Sequence, residues 1–429
     1  MTAHQTDMTE GARETIAPEG TIASMSPATG EIIWQGPVGD SRAAADIAQA
    51  SWPHWAAQAL TARLEVVRGF TNYLRREQDR LVDIMAMETG RPRWDCRAEM
   101  EEVDELVDVA LRFQTDRAGQ RRLEGRSEIE KLALRHKPHG VIAIITPYSS
   151  PCIAAMRQIV PALLAGNAII WKPSEKTAGL AAAVAEVAAK SALPEGLFQL
   201  VQGGPDIGQQ LVAAPAVRAI CFTGSAQVGL SLARQLGART DKPLSLDMGG
   251  NNPVIAWDMD DIHAGAVQIV RSAFKSSGQH CSAARRLIVQ DSLADSLLAE
   301  VKKICDRLIV GGPDAKPTPF MGPVINNPMA DGLAESFLAL MSHGGRPIKH
   351  LVRPDSGFPF LLPGIIDVTD IKDRPDQQLL GPPPHVVRVT EFDAAIGAAE
   401  ALEGRALGFG NWLWRRRRQV GGEIADDRD

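Results

Sequence analysis

The sequence predicts an α/β protein built on parallel, doubly wound sheets. Short apolar runs alternate with helical stretches from Gly140 to beyond Ala226, and that spacing is the signature of βαβ units. The first run, Val141-Ile142-Ala143-Ile144-Ile145, is continuous and mostly β-branched, as expected of a strand covered on both faces. A second alternating region begins near Leu244 and predicts a second α/β unit.

Residues 1–20 are polar and aperiodic and predict a loose arm. The pattern from Ser41 to about Arg117 is helical, with Ser41 as N-cap. Within it, Thr61 to Met87 carries Leu64, Val67, Phe70, Tyr73 and Leu74 on one face, and Gly90 and Pro92 end the run. Residues 117–138 are charged and poor in core residues, which fits a surface hairpin or flap. Strands follow at Val141–Ile145, Ala168–Trp171, Phe198–Val201 and Val217–Phe222, with helices at Ile153–Leu164, Ala178–Lys190 and Ile207–Ala213 and from about Ala226. In the second region Pro253–Ala256 and Leu287–Gln290 read as strands and Leu293–Leu308 as an amphipathic helix.

The 429 residues suffice for two or three domains. Hydrophobic content of 45%, charged content of 23% and a net charge of −6 are ordinary for a soluble protein and predict no bulk attraction to nucleic acid. No apolar run is long enough to span a membrane, and the N-terminus lacks the apolar stretch of a leader, so a cytosolic location is expected. Five widely spaced cysteines without a Cys-x-x-Cys pair argue for a reducing compartment and against a disulfide framework or a zinc site.

In doubly wound sheets ligands bind beyond the carboxyl ends of the strands. Those ends carry Thr146-Pro147-Tyr148, Lys172-Pro173-Ser174-Glu175, Gln202-Gly203-Gly204 and Thr223-Gly224-Ser225. The last group opens a helix whose N-terminal amides can hold a phosphate, although it is not a G-x-G-x-x-G motif. Gly278-Gln279-His280-Cys281 places a cysteine beside a glycine that lets a substrate approach; taken alone it reads first as a buried structural thiol. Asp247-Met248-Gly249-Gly250 offers a carboxylate for general-base work or, taken alone, a plain turn.

In this order, from about Ser24 to Phe409, these clusters resemble the aldehyde dehydrogenase superfamily. Glu88–Trp94, Arg135–Val141, Met248–Pro253 and Gly364-Ile365-Ile366 resemble its branch acting on N-succinylglutamate 5-semialdehyde in arginine catabolism. The resemblance implies two doubly wound α/β domains, one for cofactor and one catalytic, with a small oligomerisation flap. It implies that Cys281 attacks the aldehyde carbon, that hydride passes to NAD, and that water hydrolyses the thioester. Lys172 and Glu175 would hold the adenosine ribose, with Glu175 repelling a 2′-phosphate, and Ser174 between them would be a further cofactor-binding residue; Ser225 would meet the pyrophosphate and Gly229 would allow close packing. Thr146, Pro147 and Gly203 would line the cofactor cleft.

The sequence also departs from that pattern. Ser149 stands where the family carries the Asn that donates to the oxyanion; losing one such donor costs roughly 3 kcal/mol of barrier. Asp247 stands where the family carries Glu. Gln378-Leu379-Leu380-Gly381-Pro382 replaces Glu-x-Phe-Gly-Pro, which grips the nicotinamide ribose.

The expected organisation is an arm at 1–20, an NAD-binding domain at 21–116 and 139–243, a flap at 117–138, and an incomplete catalytic domain at 244–410. An atypical tail at 411–429 contains Arg415–Arg418 and is expected to be a degenerate C-terminus that lacks the family's subunit-joining strand. The alternative to an active enzyme is a catalytically degenerate cofactor-binding or partner protein of the same descent.

Overall fold

A computed structural model describes residues 20–124, 131–372, 379–400 and 413–414. Residues 1–19 of the arm expected at 1–20, most of the tail and Gln378 lie outside these residues.

One sheet has five strands, all paired parallel, in the order Phe198–Leu200, Ala168–Lys172, Val141–Ile145, Val217–Gly224, Leu244–Met248. Its centre is the β-branched run of Val141–Ile145, and Val141, Ala143 and Ile144 have no exposed surface. Helices pack on both faces, and among them Pro151–Leu164 is nearly all buried because its apolar residues surround the axis. Trp55, from the helix Ser41–Ala56, donates its indole N–H to the Leu163 carbonyl at 3.0 Å, so a large apolar side chain is buried without leaving its one polar atom unpaired.

The strand Leu244–Met248 corrects the sequence reading. Grouped there with the second region, it pairs instead with Val217–Gly224, with Thr223 opposite Asp247. The first sheet therefore extends to Met248.

A second sheet has the order Arg346–Lys349, Ile365–Asp367, His385–Val389, Arg286–Gln290, Pro253–Ala256, Leu413–Trp414. Its pairs are parallel except the first. Leu413–Trp414 is a second correction: inside a tail expected to be degenerate, these two residues extend the sheet beside Ile255 and Ala256. A separate core of Val254, Ile269, Phe274, Leu287, Leu297 and Val301 lies between this sheet and the helices Ile262–Phe274 and Asp291–Cys305.

Two antiparallel hairpins complete the fold. Arg121–Glu124 pairs with Lys131–Leu134 within the stretch expected to be a flap, and Thr21–Met25 pairs with Ile32–Pro37, which the sequence pattern did not reveal. Local signals were close but imperfect. The first helix is capped by Asp40, whose carboxylate accepts from the amides of Arg42 and Ala43 at 2.9 Å each, while Ser41 is already helical. The expected run from Thr61 to Met87 is two helices, Leu60–Arg76 and Gln78–Thr89, the second ending at Gly90 in the left-handed region.

Ile144→Ala should lower unfolding stability by about 2–5 kcal/mol, because the cavity forms where neither sheet face can relax. Asp40→Ala should cost only about 1 kcal/mol through the lost cap. Urea midpoints at unchanged slope measure both, and an Ile144 effect no larger than the Asp40 effect would contradict this account of the core.

Candidate active site

Along the carboxyl rim of the first sheet, Thr146 is buried, donates its amide to the Lys172 carbonyl at 3.1 Å and accepts the Trp171 indole N–H at 2.8 Å. The half-buried Pro147 follows it. Lys172 is buried, and its ammonium donates to the Pro173 carbonyl at 2.8 Å. Burial lowers its pKa, while Glu175 and Asp206 oppose that shift. Ser174 accepts the Lys176 amide, forming a turn that presents Glu175. Gly203 has φ +153°, and a Cβ there would sit 2.4 Å from Ile207. Ser225 caps the helix Ala226–Leu236 by accepting from the Val228 amide. Gly229, one turn on, leaves no room for a side chain: its Cβ would meet the Met248 sulfur at 2.4 Å.

The nucleophile candidate follows a strained turn. Ser276, Ser277 and Gly278 are successively left-handed, with φ of 54°, 57° and 67°. Non-glycine residues in that region cost on the order of 1–3 kcal/mol each and persist only where the surroundings hold them. Both serines are buried and anchored, Ser276 Oγ donating to Asp95 at 2.6 Å and Ser277 Oγ to the Gly322 carbonyl at 2.8 Å.

Cys281 is half-buried, and its carbonyl accepts from Asn252 Nδ2 at 2.6 Å. Burial and then the Asp247 charge raise its pKa, while Arg157, Arg285 and the Ser282 amide oppose them. The resting thiol therefore carries its proton at neutral pH. The other four thiols are pushed up more strongly by burial, Cys221 to about 11 and Cys96 and Cys305 to about 12.

Asp247 stands at the end of the edge strand with its side chain open to solvent. The cleft walls still desolvate its carboxylate enough to raise its pKa, against the Arg157 charge and a hydrogen bond with Thr223. The loop after Asp247 leads directly to Asn252, so one segment carries the carboxylate and clamps the cysteine. Ser149 is buried just ahead of the helix Pro151–Leu164. Its neighbour Ser150 meets His280 Nδ1 at 3.1 Å, joining this loop to the cysteine turn. Burial, then the Arg91 charge, pushes His280 down to about 3, so its imidazole is neutral.

Three of these contacts were invisible in the sequence: the Asn252 clamp, the Ser150–His280 bond and the place of Arg285. Arg285 is buried and donates to the carbonyls of Gly278, His280 and, at 3.4 Å, Gly381. Burial pulls it down to about 10, so it remains cationic behind the turn. A side chain donating to backbone carbonyls leaves no spacing pattern in a sequence.

A cavity of about 390 Å³ opens beside the cysteine turn, lined among others by Glu102, Arg271, Lys275, His280 and Ser282. Among the described residues no cluster of side chains could hold a metal ion, and no helix is long and apolar enough to cross a membrane.

Comparison with known proteins supplies the lineage. The aldehyde dehydrogenase family pattern matches residues 15–406. The N-succinylglutamate 5-semialdehyde dehydrogenase of Sphingopyxis alaskensis is 49% identical over 378 residues, which cover 88% of this chain and 78% of that protein. The protein of the same name from Novosphingobium aromaticivorans is 47% identical over 88% of this chain and 80% of its own length. Among solved structures, lactaldehyde dehydrogenase from Escherichia coli superposes with a TM-score of 0.83 at 26% identity, covering 90% of this chain and 81% of its own. An NADP-dependent E. coli enzyme gives 0.82 at 28%, covering 88% and 79%. With the sheets, the rim and the cysteine turn in this arrangement, the chain belongs to the aldehyde dehydrogenase family and is an oxidoreductase acting on aldehydes.

Proposed function

We propose that the enzyme oxidises N-succinylglutamate 5-semialdehyde, a carboxylate-bearing aldehyde, with NAD, through a thioester on Cys281. The observation that carries this reading is the setting of Cys281: a half-buried thiol whose chain neighbours His280 and Ser282 line a cavity, under the opposing charges of Asp247 and Arg157.

The rim fits a dinucleotide. Lys172 has N–H groups to spare beyond its single carbonyl contact, Glu175 is presented at the same strand end, and a capped helix begins at Ser225. These residues would hold the adenosine ribose and the pyrophosphate, and the Glu175 carboxylate disfavours a 2′-phosphate, which is the basis for NAD over NADP. Gln378, the expected contact to the nicotinamide ribose, lies outside the described residues. The bound cofactor supplies a hydride acceptor.

The protein does the rest. Asp247 accepts the thiol proton, and the thiolate adds to the carbonyl carbon to give a tetrahedral oxyanion near Ser149, whose hydroxyl is the donor offered there. Loss of hydride leaves the acyl group on Cys281. Asp247, open to solvent, gives the thiol's proton up to water before deacylation and is a carboxylate again; it then takes a proton from the attacking water, and as hydrolysis releases the carboxylate product the departing thiolate takes that proton and is restored to the thiol. The substrate's own carboxylates match the cations of the cavity. Arg271 lines it and has no ion-pair partner among the described residues; Lys275 lines it from the start of the turn.

Cys281→Ala should reduce NADH formation to the no-enzyme background while calorimetry still detects cofactor binding. Turnover that survives would refute the nucleophile, and absence of turnover in the unaltered protein with cofactor bound would favour the degenerate alternative. Asp247→Asn should act in two directions. Iodoacetamide should alkylate Cys281 faster near neutral pH, because the charge that raises the thiol pKa is gone, while steady-state kcat falls on the order of 10²-fold as deacylation slows. A thiol no more reactive in that variant would disprove the electrostatic coupling. Arg271→Gln should raise KM for succinylglutamate semialdehyde by about 10-fold, the worth of a charged hydrogen bond, and raise it far less for an uncharged aldehyde. Equal effects on both substrates would remove Arg271 from carboxylate recognition.

A further inference from the structure

We propose that the buried triad Arg91, Asp95 and Glu99 is a positioning device that couples the oxyanion loop to the nucleophile turn. It rests on the reading of Cys281 as nucleophile and Ser149 as oxyanion donor, and adds the part that holds them in register.

The triad has two ends. At one, Glu99 Oε1 accepts the amides of Cys152 at 2.9 Å and Ile153 at 3.1 Å. These are in the first turn of Pro151–Leu164, immediately after Ser149 and Ser150, and Ser150 provides no side-chain cap of its own. A carboxylate from a different helix thus does what an N-cap would do, so the position of this turn depends on the position of Glu99. At the other end, Asp95 Oδ2 accepts Ser276 Oγ at 2.6 Å. Ser276 is the first of the three left-handed residues that lead to Cys281, and Lys275 Nζ lies 3.5 Å from the second oxygen of the same carboxylate.

Arg91 joins the ends. Its Nη1 donates to Glu99 Oε2, its Nε to Asp95 Oδ2 at 3.0 Å and its Nη2 to the Asp95 carbonyl at 3.3 Å. None of the three side chains is more than 2% exposed. Burial alone would lift the Asp95 carboxyl, but the Arg91 charge and the bonds from Arg91 and Ser276 hold it at about 2, so it accepts as a full carboxylate. On the cavity side the Ser150–His280 bond closes a ring through the same two segments.

Stability is a poor explanation for such a group. Desolvating several charges offsets most of their mutual attraction, and well-packed apolar residues commonly hold a core as well or better. Apolar side chains, however, could not supply acceptors at both an orphaned helix start and a strained serine. The outward-facing bonds of this triad end on the two loops that carry the chemistry.

The test reads thiol reactivity directly. Glu99→Gln weakens the oxyanion end and its link to Arg91 without touching the cysteine turn, and Ser276→Gly removes only the turn's anchor while suiting its left-handed backbone. With the full chain, the rate of Cys281 alkylation by iodoacetamide and kcat are measured for both single variants and the double variant. Expected are kcat losses of about 10- to 100-fold in each, the effect of a small misplacement, with KM and NAD affinity changed less than about 2-fold. Glu99→Gln should alter the alkylation rate of Cys281 although it makes no contact with that turn, and should add little once Ser276→Gly is present. An unchanged alkylation rate in Glu99→Gln, or effects that multiply in the double variant, would overturn the coupling. Should Glu99→Gln not fold, Ser276→Gly decides alone: kcat within about 2-fold of the unaltered enzyme overturns the proposal. Because alkylation needs no substrate, this result stays separate from that of Cys281→Ala, whose failure would strike the assigned reaction instead.

Discussion

Parallel pairing sends every strand of a sheet in the same direction, so the segments that follow the strands are forced onto one rim. In the five-stranded sheet that rim collects Thr146, Lys172, Gly203 and Ser225. Because Leu244–Met248 is the last strand of this sheet, it brings Asp247 to the same edge. The chain then crosses to the second sheet through Gly249–Asn252, and Asn252 grips Cys281 at the crossing. The site is thus placed by topology first and refined by a few side-chain bonds to backbone carbonyls.

The charges around the thiol oppose one another. Asp247 raises its pKa and Arg157 and Arg285 lower it, with burial on the side of the proton. A thiol kept protonated at rest is spared from adventitious oxidation and alkylation, both of which need the thiolate. In the proposed mechanism its activation falls to Asp247, whose side chain is open to solvent and can pass a proton to water.

What the sequence revealed followed from how strongly each feature is constrained locally. Val141–Ile145 and Ala168–Lys172 were legible because burial on both faces demands an unbroken apolar run. Leu244–Met248 was assigned to the wrong region because sheet membership is a matter of long-range register, which an alternating edge strand does not encode. Asp40 and Ser41 are both good caps, and only the backbone shows which one stands outside the helix. In the candidate site, Cys281, Asp247 and Ser149 were singled out through resemblance. Their supports were not: Asn252, Arg285 and Glu99 act on main-chain groups, and such partners can be any residue type.

The cysteine turn rests on two absent side chains. A Cβ on Gly278 would lie 2.3 Å from the Gly381 carbonyl oxygen, and one on Gly381 would lie 2.3 Å from Leu333. The two contacts differ in what evolution can do with them. Room for a side chain at Gly381 could be made by trimming Leu333, since that neighbour is the end of a side chain. The obstacle to a side chain at Gly278 is main chain, which no substitution at position 381 can shrink. The three atoms nearest to a Cβ on Gly278 are all main chain, so trimming a neighbouring side chain makes no room there.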